Sequence, residues 1–72
     1  MFRILSPDGA YLALSETVQG VVEVVRNNRP GRYQIDETGA GVSASSPTSR
    51  NWGAVIRFPS GDIAVHSHGE QA

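Results

Sequence analysis

Near the start of the chain Phe2-Arg3-Ile4-Leu5 alternates over its first three residues, Tyr11-Leu12-Ala13-Leu14 is apolar throughout, and the two stretches flank Ser6-Pro7-Asp8-Gly9. Proline presets the φ angle of the second position of a type I turn, and glycine accepts the left-handed conformation that follows it. The pattern predicts a β-hairpin with a short loop and a bulge at the glycine. Pairing Ser6 with Ala10 puts Phe2, Ile4, Leu12 and Leu14 on one face, the expected core. Arg3, Leu5, Tyr11 and Ala13 fall on the other.

The period then changes. Val18, Val21, Val22 and Val25 recur at i, i+3, i+4 and i+7, an apolar stripe along one side of a helix. Ser15 or Thr17 can cap its start, and Glu16 suits its positive end. Arg26 lies in the last turn, Asn27-Asn28 offers a left-handed cap, and Pro30 stops continuation. The β-branched run Val21-Val22-Glu23-Val24-Val25 and Gly20 pull toward a strand. Caps at both ends and the 3.6-residue spacing favour the helix.

Gly31 to Glu37 alternates again, with Tyr33 and Ile35 inward, and reads as a third strand. Residues 38–51 hold Val42 as their one branched apolar residue, and a flexible loop is expected there. Trp52 to His68 forms a second hairpin around Phe58-Pro59-Ser60-Gly61-Asp62, and residues 69–72 should fray. Pairing Phe58 with Asp62 gathers Trp52, Ala54, Ile56, Phe58, Ala64, His66 and His68 on one face. Val55, Arg57, Ile63 and Val65 share the opposite one.

The expected fold is a single α+β domain over residues 1–72, in the order β-β-α-β-β-β. It has a mostly antiparallel five-stranded sheet and one helix on one face. One helix covers only one side of such a sheet. The helix-free side is expected to carry Leu5, Tyr11, Val55, Ile63 and Val65 as anchors, with Arg3 and Arg57 as orienting charges. Monomers seldom leave an apolar patch of that kind bare, so the expected function is a non-catalytic interaction module. Its partner would be a second copy or another protein.

Composition narrows the alternatives. The 72 residues include no cysteine, which removes disulfides, thiolate zinc sites and cysteine nucleophiles together. The net charge of −1 and pI near 6.0 argue against a generic polyanion binder. No apolar run reaches the ~20 residues of a membrane span. Met1-Phe2-Arg3-Ile4 makes no charged leader ahead of a long apolar stretch, so no membrane partner is expected and the expected compartment is the cytoplasm. No cofactor is implied: Gly39-Ala40-Gly41 lacks the Lys-Ser/Thr of a P-loop and the third glycine of a dinucleotide fingerprint. Catalytic signatures such as a nucleophile elbow or an HExxH helix are absent.

Two other chemistries compete with protein binding. All six basic residues are arginine, and Arg26, Arg29, Arg32 and Arg50 with Tyr33 and Trp52 could hold single-stranded nucleic acid by phosphate contact and base stacking. Seven carboxylates against six arginines weigh on the other side. His66 and His68, two apart on a strand, point the same way and could start a metal site. Such a site needs further ligands, and the residues opposite, Ala54 and Trp52, supply none.

Overall fold

In a computed structural model, residues 1–38 and 50–67 are described. They form β1 (Phe2–Leu5), β2 (Tyr11–Ser15), α1 (Val18–Arg26), β3 (Gly31–Glu37), β4 (Arg50–Arg57) and β5 (Ile63–Ser67). All four strand pairings are antiparallel, and the sheet order is β2-β1-β3-β4-β5. The α+β architecture expected from the pattern is the one the chain adopts.

Both turns close as their sequences require. In the first, the Gly9 N–H donates to the Ser6 carbonyl and the Ser6 N–H to the Ala10 carbonyl, each at 2.8 Å. The second repeats this with Gly61 to Phe58 and Phe58 to Asp62, each at 2.9 Å. Gly9 and Gly61 have φ of 91° and 97°, the conformation only glycine enters without strain.

Thr17 caps α1, its hydroxyl accepting from the Gly20 N–H at 3.0 Å. The other end differs from expectation, because neither asparagine turns left-handed. Asn27 sits at φ −89°, and its amide donates to the Glu23 carbonyl at 2.9 Å, while the Asn28 amide donates to the Val24 carbonyl at 2.6 Å. The side chains reach back and satisfy orphan carbonyls, so the backbone need not reverse.

α1 lays Val21 and Val25 onto Ile4, Tyr33, Ile35 and Val55, all buried. Phe2, Leu12, Ala13, Val24, Trp52 and Ile63 pack around them. Two bulges decide which side chains reach this core. Ile4 pairs with Ala13 and Leu5 with Tyr11, so Leu12 is an extra residue in β2. Ile35 pairs with Gly53 and Asp36 with Asn51, so Trp52 is an extra residue in β4. Each bulge turns a large apolar side chain under the helix out of its period-2 turn. Leu14 consequently leaves the core face and Ala13 joins it.

The second bulge reverses the expected faces of the C-terminal hairpin. Alternation ties Trp52 to Ala54 and Ile56, which makes Val55 seem outward. Because the extra residue is Trp52 itself, it packs on the same side as Val55, its ring meeting Phe2 edge-on at 5.3 Å between centroids. Val55 is 0% exposed opposite Tyr33, and Val55, Arg57, Ile63 and Val65 all lie on the helix side. Three of the residues expected in a loop at 38–51 are held in the fold. Thr38 is buried and exchanges backbone hydrogen bonds with Met1, and Arg50 and Asn51 belong to β4. The rest of that loop and the 69–72 tail lie outside the described residues.

Candidate interaction face

Cross-strand partners point to the same side of a sheet, so the pairing defines what the helix-free face carries. Leu14, Arg3, Asp36 and Asn51 form one row across it. Tyr11, Leu5, Gln34, Ala54 and His66 form the next, and Arg32, Ile56 and Ala64 the third. Of the expected anchors, Leu5 and Tyr11 are here with Arg3. Leu14 and Ile56 take the places expected for Val55, Ile63 and Val65.

At the centre of this face lies a compact polar network. Asp36 is 7% exposed, although no described helix covers it. The Arg3 guanidinium donates to its Oδ2 at 3.1 Å and the Gln34 amide to its Oδ1 at 3.0 Å. The long Arg3 and Gln34 side chains lie across the pleat and shield the carboxylate. A charge pair out of water holds its two strands in one register, since any slip separates the charges. Asp36→Ala removes the carboxylate beside a largely buried guanidinium, and a loss of about 2–4 kcal/mol is expected in urea unfolding. Arg3→Met combined with Asp36→Leu should recover most of that loss. If each single change costs less than about 0.5 kcal/mol, the pair is no more than a surface contact.

Around the network the face is apolar. Tyr11 is 52% exposed on the edge strand β2, beside half-buried Leu5 and Leu14, and half-buried Ile56 lies across the sheet on β4. Arg32 is exposed on the same side near the start of β3.

The arginines and aromatics suited to nucleic acid do not come together. Tyr33 is in the core, its hydroxyl donating to the Arg29 carbonyl at 2.5 Å, so no base can stack on its ring. Trp52 packs on Phe2. Arg26 pairs with Glu23 at 3.2 Å and Arg50 with Glu37 at 3.1 Å. Arg32 and Arg50 stand at opposite ends of the β3–β4 ladder, on the order of 17 Å apart at ~3.3 Å per residue. Burying Tyr33 beneath the helix is what dismantles the expected cluster.

His66 is exposed on the helix-free side of β5 opposite Ala54, and His68 lies outside the described residues. Among the described residues no three histidines or carboxylates gather as metal ligands. A cavity of about 320 Å³ opens between the first turn and the end of α1, lined by Ser6, Pro7, Leu12, Asn27, Asn28, Arg29 and Tyr33. At its rim the Ser6 hydroxyl donates to Asp8, which holds that carboxyl below its ordinary value, with Arg29 as a smaller cause. The Asn27 and Asn28 amides donate to helix carbonyls and the Tyr33 hydroxyl to the Arg29 carbonyl, so the lining polar groups serve the fold. Among the described residues no helix is long and apolar enough to cross a membrane. No protein-family model matches this chain, nor does any curated protein or solved structure, so the geometry of the sheet carries the functional reading.

Proposed function

We propose that this chain is a small non-catalytic protein-interaction module that binds a second copy of itself through the helix-free face of its sheet. The observation that carries the reading is the half-exposed Tyr11 on a face shared with Leu5, Leu14 and Ile56, which no described element covers. The charged centre of that face is already neutralised, because Asp36 holds Arg3. The centres of two such faces can therefore meet without stranding a like charge, with Arg32 left toward one end of the sheet. A twofold contact of this kind is closed and self-complementary.

The size of the face sets the strength to expect. Five strands ~4.8 Å apart and about five residues long give roughly 400 Å² in projection, the low end for specific association. Self-association should therefore depend on concentration and, being apolar, survive ~0.5 M salt. Light scattering on a size-exclusion column at two concentrations and two salt levels reads both. Tyr11→Asp places a carboxylate in the contact at a half-exposed site, and it is expected to abolish association through this face with the circular dichroism spectrum unchanged. A chain that stays monomeric under every condition overturns the proposal.

A further inference from the structure

The sheet ends in two edges that differ in kind. β2 is interrupted by the Leu12 bulge, which twists an edge away from further pairing. β5 is regular from Ile63 to Ser67, and its sequence Ile-Ala-Val-His-Ser carries neither a carboxylate, a lysine or arginine, nor a proline. Those are the usual guards of an exposed edge.

Which backbone groups of β5 face outward follows from the turn before it. The Phe58 N–H donates to the Asp62 carbonyl, so Asp62 presents its carbonyl to β4. Backbone groups alternate sides along a strand. Ala64 and His66 therefore bond to β4, while Ile63 and Val65 direct both N–H and C=O off the edge, where no described strand pairs with them. The Val65 side chain points to the helix side, yet it is 45% exposed, because α1 packs mainly against strands β1 to β4.

We propose that β5 is a second self-association site, on which the β5 strand of another copy pairs antiparallel about a twofold axis through Val65. At the axis the two Val65 residues exchange a pair of backbone hydrogen bonds, with Cα atoms ~5.5 Å apart. Their exposed side chains then cover each other on the helix side. In this register Ile63 lies opposite Ser67 of the second copy and Ala64 opposite its His66. Identical strands meet here without repulsion, since β5 has no carboxylate, lysine or arginine. The pairing is isologous and closes after two copies, giving a ten-stranded sheet whose outer edges are both bulged β2 strands. The self-complementary, uncharged strand is why the occupant is a second copy, and this pairing uses up both β5 edges so that it cannot by itself stack strands openly.

The test uses the full chain and two variants. Val65→Lys puts two like charges across the axis at an already exposed position, and in the Tyr11→Asp background it should weaken the edge-paired dimer by at least about tenfold in Kd. Val65→Pro deletes the outward N–H without removing a bond to β4, as proline is tolerated on a solvent-facing edge. It should also abolish this contact. Amide exchange followed by NMR should show Val65 protected in the wild-type chain, with protection lost on dilution. Tyr11→Asp should leave that protection intact, which separates this contact from the one on the sheet face. In the Tyr11→Asp background, where the sheet-face contact is removed, association that survives Val65→Lys, or a Val65 amide that exchanges freely while the chain is associated, overturns the edge proposal alone. A wild-type chain that is monomeric throughout overturns both. If Val65→Pro unfolds the chain, Val65→Lys and the exchange measurement still decide.

Discussion

Val55→Asp is expected to unfold the protein. Val55 is wholly enclosed, paired with Tyr33 on one side and Val65 on the other, with α1 above it. An unpaired carboxylate there costs several kcal/mol whether it stays charged or takes up a proton. A domain of this length commands only roughly 3–5 kcal/mol in total. Far-UV circular dichroism should show loss of structure at 25 °C, with no cooperative melt. Ile63→Asp, at a half-buried site on the neighbouring strand, should leave a folded but weakened chain. A Val55→Asp variant that melts like the wild type would return Val55 to the surface and undo the register described for β3 and β4.

Gly53→Ala is the second change expected to be severe, although it adds a single methyl group. A Cβ at this position would lie 1.9 Å from the carbonyl oxygen of His66 and 3.0 Å from the Cα of Ser67. Both are backbone atoms of β5 and cannot rotate aside. Either β5 moves off β4 at its C-terminal end or the bulge at Trp52 rearranges, and the core loses packing in both cases. A cost of at least about 2–3 kcal/mol is expected, equivalent to more than about 10 °C in Tm for a domain of this size. Gly9→Ala is the comparison, because a Cβ there meets nothing within 4 Å and only the left-handed backbone opposes it. Its cost should stay near ~1 kcal/mol. Equal melting temperatures for the two variants would mean that β4 and β5 do not approach so closely. Detaching β5 would also remove the edge proposed to pair with a second copy, so Gly53→Ala should lose that contact together with stability.

Elements that rest on local chemistry could be read directly. The Ser-Pro-Asp-Gly and Pro-Ser-Gly-Asp turns close with the bonds their residues favour, and Thr17 caps the helix because a hydroxyl placed before an apolar stripe reaches the amide three residues on. The valine spacing sorted helix from strand despite a β-branched run, since α1 must bury one side only. The face of each strand was harder. Alternation is a parity rule, and one inserted residue inverts everything beyond it. Leu12 and Trp52 are those residues, and both are large and apolar, so following their burial along the strand carries Leu14, Ala54 and Ile56 inward and Val55 outward.

The candidate face inherits that inversion. Leu5, Tyr11 and Arg3 are correctly placed, because they belong to β1 or precede the bulge in β2. Val55, Arg57, Ile63 and Val65 are not, because they follow the bulge at Trp52 or pair with residues that do. Arg3 with Asp36 could not be foreseen, since the two are distant in sequence and meet only when β1 adds beside β3. The nucleic-acid cluster failed for a related reason. An aromatic residue beside arginines reads as a stacking surface until the sheet turns its ring beneath a helix, as it does with Tyr33.

Length, absence of cysteine, mixed charge, turn positions, helix limits and strand count are all local or additive properties, and the chain's own order of residues settles them. The side of the sheet each residue occupies is neither. It depends on where the ladders slip, and a slip is stabilised by contacts between residues far apart in the chain: Leu12 and Trp52 against the core, Gly53 against the His66 carbonyl, Arg3 against Asp36. Those contacts exist only in the folded sheet, so the surfaces open to a partner emerge with it.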